Sequence, residues 1–139
     1  MPSVFSMIIA GDLPGRFVWR DDRCVGFLSI NPLAQGHTLV VPIAEVDHWL
    51  DLDIDTNAHL ISVAHHIGAA QQAAFSPARV GLVIAGFEVP HTHLHVVPMA
   101  GMHNLDFANA DPNPDAGAMD RARDAIVDAL QTAGHSPGV

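Results

Sequence analysis

His91, His93 and His95 place three imidazoles within five residues, in the stretch Glu88-Val89-Pro90-His91-Thr92-His93-Leu94-His95-Val96-Val97-Pro98. Side chains alternate along an extended chain, so the three rings project from one face, neighbours roughly 6.5–7 Å apart, while Thr92, Leu94 and Val96 point to the other. Two chemistries suit such a row. Neutral imidazole is a common zinc ligand, and two of these rings with His37 would supply three donors. Metal-bound histidines usually need carboxylates behind them, however, and no acidic residue lies between His91 and Met102. The other chemistry is nucleophilic. An imidazole with its ordinary pKa of roughly 6.5 is largely unprotonated at neutral pH and attacks phosphorus to form a covalent phosphoramidate. Flanking imidazoles then donate hydrogen bonds to phosphate oxygens or protonate a leaving group. Three packed histidines without chemistry would bury several polar rings side by side, each needing a partner. The nucleophilic reading is therefore the expectation, with no metal and no cofactor.

The charge balance narrows the ligand. All six cations are arginines, against fifteen acidic residues, for a net charge of −9. Without lysine there is no phosphate loop of the Walker type and no Schiff-base or kinase-type lysine. Without a basic stripe, nucleic acid is not an expected partner. A phosphate must be held by local donors, and ten histidines supply them. The single cysteine, Cys24, excludes an intrachain disulfide and reads as a small buried apolar residue. No apolar run reaches the roughly 18–20 residues of a membrane span, and Met1–Ala10 lacks the layout of a signal peptide, so a cytoplasmic protein with no membrane partner is expected.

The elements that position the histidines follow from spacing. Length and apolar content predict one domain over residues 1–139. Apolar residues at 4, 7 and 8, with Ser3 before and Gly11 after, predict a short N-terminal helix. Arg16–Arg20 and Arg23–Ile30 read as strands joined at Asp21-Asp22. The loop Asn31-Pro32-Leu33-Ala34-Gln35-Gly36 leads to a strand at His37–Pro42, with His37 at its beginning. Residues 44–52 read as a short helix or helical turn, with Val46 and Trp49 packed and Glu45, Asp47 and His48 in solvent. Apolar positions 60, 63, 64, 67, 70 and 74 predict a long helix over 56–75, on which His59, His65 and His66 are partly solvated. The run Val80–Ala85 predicts a central strand buried on both faces, antiparallel to the histidine strand. Residues 99–113 read as irregular, 115–131 as a helix, and 136–139 as a frayed end.

With these residues in view, the chain resembles the histidine triad (HIT) family, whose motif is His-x-His-x-His followed by two apolar residues, here His91 to Val97. Phe5–Pro14, the Asp21-Asp22 hairpin and Asn31–Pro42 are similar to the family's N-terminal helix, hairpin, and next loop and strand. The resemblance covers about residues 3–98, with 99–139 a variable segment. It implies an α+β fold with a five-stranded antiparallel sheet, one long helix and short N- and C-terminal helices, usually as a homodimer. It also implies a nucleotide-binding hydrolase that cleaves nucleoside 5′-phosphoramidates or related nucleoside phosphates through a nucleotidyl-histidine intermediate. Its partner is then a purine nucleotide or nucleoside phosphoramidate. The alternatives are a dinucleoside polyphosphate hydrolase and a nucleotide-binding protein with little turnover. By position, His93 is the nucleophile, His95 and His37 contact phosphate oxygens, and His91 orients His93. Phe5, Ile8, Phe27 and Ile30 map onto the nucleoside pocket. Ser29 stands where many members have a ribose-binding aspartate, and Glu88 stands near the phosphate where many have serine or threonine. Val4 and Met7 stand near the positions at which some bacterial members hold zinc through cysteines, so that zinc site is not expected.

Overall fold

The computed structural model describes all residues, 1–139. The Ser3 hydroxyl accepts the Ser6 N–H and caps the first helix, α1 (Val4–Ala10). Gly11 closes it at φ 86°, a left-handed geometry that glycine adopts without strain. The inner face differs from the 4, 7, 8 pattern. Phe5 and Ile8 are buried and Val4 is exposed, because the helix lies on the sheet through Phe5.

Strands β1 (Phe17–Arg20) and β2 (Cys24–Leu28) form a hairpin whose turn is held by Asp21, its Oδ1 accepting the N–H groups of Arg23 and Cys24 at 2.8 Å each. Strand β3 (Thr38–Pro42) follows, then a single 3-10 turn at Trp49–Asp51, the shorter form of the short helix or helical turn expected over 44–52. Helix α2 (Ile54–Phe75) is capped by Asp53 and buries Leu60, Val63, Ala64, Ile67 and Ala70, as its apolar period requires. Strands β4 (Arg79–Val83) and β5 (Leu94–Met99) complete an antiparallel sheet of order β1-β2-β3-β5-β4.

Two expectations fail here for physical reasons. The run Val80–Ala85 is not a central strand: β4 pairs with β5 alone and forms the sheet's edge, with Arg79 and Leu82 exposed. A continuous apolar run reports apolar character and carries no record of how many strands flank it. The histidine strand begins only at Leu94. The backbone N–H of His91 is bonded to Val89 O, and that of Thr92 to Val46 O, outside the ladder.

Leu28, Val40, Leu94 and Val96 meet α2 on one face of the sheet, while Phe27, Leu39 and Val41 meet α1 on the other. Helix α3 (Ala116–Thr132) has 17 residues and is not short. It packs Met119, Ala122, Ile126 and Leu130 into the α2 layer. The segment before it contains two 3-10 turns, Met102–Leu105 and Phe107–Asn109. Cys24 is buried, as expected, and burial first, then the neighbouring Asp21, pushes its thiol well above the ordinary range. No helix is long and apolar enough to cross a membrane.

Candidate active site

The three histidines keep the alternation expected of them, although only His95 lies in a strand. Leu94 and Val96 enter the α2 core, and the rings of His91, His93 and His95 turn to the α1 face, all buried. Phe5 of α1 packs edge-on against His91 and His93, with ring centroids 5.9 and 4.9 Å apart. The row is thus walled by the same helix that Ser3 begins.

Hydrogen bonds to groups of fixed polarity settle where each proton sits. His91 Nε2 lies 2.7 Å from Pro42 O, which only accepts, so Nε2 carries the proton. His91 Nδ1 then accepts from the Ser3 hydroxyl at 2.6 Å. Burial holds His91 below its ordinary pKa, and a neutral ring is what this pairing requires. Ser3 is itself tethered, because Glu45 Oε1 accepts the Ser3 N–H at 2.6 Å and the Ser6 hydroxyl at 2.7 Å. Those two bonds hold the Glu45 carboxyl below its usual range. His93 Nδ1 lies 2.7 Å from His91 O and must donate, which turns Nε2, the nitrogen that holds the lone pair in a neutral ring, to the pocket side.

A second chain begins at the loop before β3. The Leu33 N–H donates to His37 Nδ1 at 3.0 Å, so His37 carries its proton on Nε2 and donates it to His95 Nδ1 at 3.0 Å. His95 must then be protonated on Nε2, and that N–H is buried with no partner in the protein. An unmatched buried donor costs free energy unless a ligand accepts from it. Burial first, then the neighbouring rings, lowers His37 to about 3 and His95 to about 4. Both are neutral donors at neutral pH.

These groups face a cavity of about 280 Å³. The structure brings Phe5, Ile8, Phe27, Ser29 and Ile30 to its walls together with His37, His93, His95 and Glu88. Phe5, Ile8 and Phe27 are buried, whereas Ile30 is 72 % exposed and stands at the mouth. Glu88 Oε2 lies 3.6 Å from His93 Nε2. His91 does not line the cavity and touches it through Phe5 and His93. Sequence reasoning missed three contributors: the Leu33 N–H, the Ser3 hydroxyl beyond its capping role, and Phe107, whose ring packs on His95 at 5.1 Å and lines the cavity. The Asn31-Pro32-Leu33 turn leading to His37 carried a signal for the first. Nothing in the irregular 99–113 segment marked Phe107.

The donor geometry does not fit a resident metal. Both ring nitrogens of His91 are engaged, by Ser3 and Pro42, and Ser3 and Ser6 rather than Val4 and Met7 face His91 and Glu45. Glu88, His93 and His95 converge, but ligation through His95 Nε2 would displace its proton and reverse a chain anchored on a backbone N–H that cannot accept. Asp21, Cys24 and His59 also converge, with both Asp21 oxygens already taken by protein donors. Asp21 Oδ2 meets Trp19 Nε1 at 2.8 Å and His59 Nε2 at 2.7 Å. That cluster ties the β1–β2 turn to α2. Burial pushes the Asp21 carboxyl up, but the bonds from Trp19, Arg23, Cys24 and His59 outweigh it and bring it to about 2.

The family model described as "HIT domain" matches residues 10–102. An uncharacterised HIT-like protein of Borreliella burgdorferi is 38% identical over 102 residues, 68% of this chain and 73% of that one. The adenylylsulfatase HINT3 of Arabidopsis thaliana is 30% identical over 100 residues, 68% of this chain and 51% of that protein. The crystal structure of a zinc-bound histidine triad family protein from Mycobacterium smegmatis superposes with a TM-score of 0.80 at 28% identity, covering 94% of each chain. Motif, sheet order and these similarities agree, and the chain belongs to the HIT domain family.

Proposed function

We propose that the chain is a nucleotide-binding hydrolase that cleaves nucleoside 5′-phosphoramidates, or related nucleoside phosphates, at the α-phosphorus. The observation that carries this reading is the 2.7 Å bond from His93 Nδ1 to His91 O, which turns His93 Nε2 toward a cavity with an unmatched N–H beside it. Phe5, Ile8 and Phe27 offer an apolar slot for a base, and Ser29 offers a hydroxyl toward the ribose. His93 Nε2 attacks phosphorus, the bond to the leaving group breaks, and a nucleotidyl-histidine forms. The His95 Nε2–H bonds to a phosphoryl oxygen as charge develops there, aimed in advance by His37 and Leu33. Water then attacks phosphorus, and the bonding pair returns to His93.

Adenosine 5′-phosphoramidate tests the reading: the wild type releases AMP, and His93→Ala releases it no faster than buffer alone. Equal AMP release by both proteins would sink the nucleophile. Tight AMP binding without turnover would instead favour a binding protein, and preferential cleavage of diadenosine polyphosphate the dinucleoside polyphosphate hydrolase.

The same reading extends to a homodimer. Strand β4 is an open edge, and Leu82 on it stands 47 % exposed beside Ile61 of α2 at 44 %. Between them lies an apolar groove floored by Gly68, Val80 and Val96. Soluble proteins cover such edges. Light scattering is expected to give twice the chain mass for the wild type and the single mass for Leu82→Arg, whereas a monomeric wild type excludes the dimer.

A further inference from the structure

We propose that Glu88 selects substrates by the charge of the leaving group, favouring nucleoside phosphoramidates that release an amine and opposing those that release a polyphosphate or a sulfate. The inference rests on His93 acting as the nucleophile. Glu88 lies 3.6 Å from the attacking nitrogen and within 4.8 Å of a His95 ring nitrogen, so a group bonded to the attacked phosphorus lies within reach of its carboxylate. No hydrogen bond restrains the side chain, which is 51 % exposed and free to follow the departing group.

The cavity's charge makes that position decisive. No arginine lines it, and its buried histidines His37 and His95 stay neutral, so no fixed cation offsets the phosphoryl charge. A leaving group with further negative charges meets Glu88 at close range, and like charges there repel. An amine leaving group reverses the sign. Its nitrogen must gain a proton to depart, and the exposed carboxyl can relay one from water. The His93 Nε2 pair then forms the bond to phosphorus while the phosphorus–nitrogen pair stays on nitrogen, which leaves as a free amine. His93, now carrying phosphorus on Nε2 and hydrogen on Nδ1, is cationic, and the carboxylate stabilises it. In the second step water adds its oxygen to phosphorus, the phosphorus–nitrogen pair returns to His93 Nε2, a proton of that water replaces the one relayed to the amine, and AMP departs.

His95 cannot easily replace Glu88 as the proton source. Its Nδ1 is occupied by the His37 N–H, so giving up the Nε2 proton would leave an anionic ring. Glu88 is the carboxyl in the cavity wall positioned for the task.

The test compares kcat/KM for an adenosine 5′-phosphoramidate of a cationic diamine with that for diadenosine tetraphosphate, in wild type, Glu88→Gln and His93→Ala. Glu88→Gln keeps size and polarity and removes the charge. It is expected to lower turnover of the amide on the order of a hundredfold, as for loss of a proton-transfer group. On the polyphosphate it should raise kcat/KM about tenfold, as for removing a unit charge beside a developing anion. His93→Ala abolishes both. An unchanged preference in Glu88→Gln, with His93→Ala inactive, overturns the role of Glu88 and leaves the nucleophile standing. Turnover retained in His93→Ala overturns the nucleophile instead, and a wild type that cleaves neither substrate overturns both. Thermal melting confirms that Glu88→Gln is folded, and Glu88→Ser provides the same comparison should it not be.

Discussion

Each imidazole here owes its tautomer to a partner that can act in only one sense. Pro42 O and His91 O accept, so His91 Nε2 and His93 Nδ1 carry protons, and the donating Leu33 N–H places the protons of His37 and His95 on Nε2. On the proposed mechanism His37, whose two ring nitrogens are taken by the Leu33 N–H and His95 Nδ1, is a positioning residue that turns the His95 N–H toward the cavity, in place of the phosphate contact that the family resemblance implies for it. On the proposed mechanism, His37→Ala is expected to lower kcat on the order of a hundredfold, the scale for losing one oriented donor at a developing anion, with KM little changed. His37→Gln retains an amide oxygen for the Leu33 N–H and an amide N–H for His95, and should recover much of the loss. Steady-state kinetics on one phosphoramidate decides: Gln and Ala variants equally impaired would show that space-filling rather than polarity matters at 37.

At the scale of elements, the loop 31–36 sets the starting point of that chain. Gly36 sits at φ 83°, and a β-carbon there would run into the ring of Phe75 at the end of α2. Its carbonyl accepts from Gln71 Nε2 at 2.9 Å and from the Thr38 hydroxyl at 2.8 Å, so loop, helix and β3 are joined at this residue. Gly36→Ala is expected to cost about 2 kcal/mol of stability from backbone strain alone, and more from the clash, measured by denaturant unfolding. Stability unchanged within error would mean that the loop relaxes freely. The same loop shows what was readable beforehand. Asn31-Pro32 and Gly36 announced a turn feeding a strand, and His37 at its start was placed correctly. The direction of the His37–His95 bond was not readable, because it depends on a backbone N–H four residues upstream. Long-period patterns such as the apolar face of α2 were legible because each position repeats the same surroundings. The β4 edge was not, since an apolar run carries no record of which neighbour covers it. Phe107 reached the site through two 3-10 turns without periodicity, which hid it.

For the whole molecule, burying several neutral histidines couples folding to acidity. His37 and His95 have folded pKa values of about 3 and 4, below the ordinary 6.5, and His91 is shifted the same way. The unfolded chain therefore binds more protons than the folded one below about pH 6.5, and stability must fall as pH falls. The contribution of these rings is complete above the unfolded pKa and is lost progressively as pH drops toward the folded values. At pH 5 each strongly shifted ring gives up on the order of 2 kcal/mol, against a total of about 5–15 kcal/mol for a domain. Asp21 contributes in the same sense lower down, being held near 2 in the fold against an ordinary 3.8. The melting temperature is expected to be nearly flat from pH 8 to 7, then to drop steeply between pH 6.5 and 4. His37→Gln, which removes one titrating ring while keeping its hydrogen bonds, should flatten the drop. A wild-type melting temperature that held steady down to pH 4.5 would mean that the rings take up protons in place, and the tautomer chain from Leu33 to His95 would then be lost at mildly acidic pH.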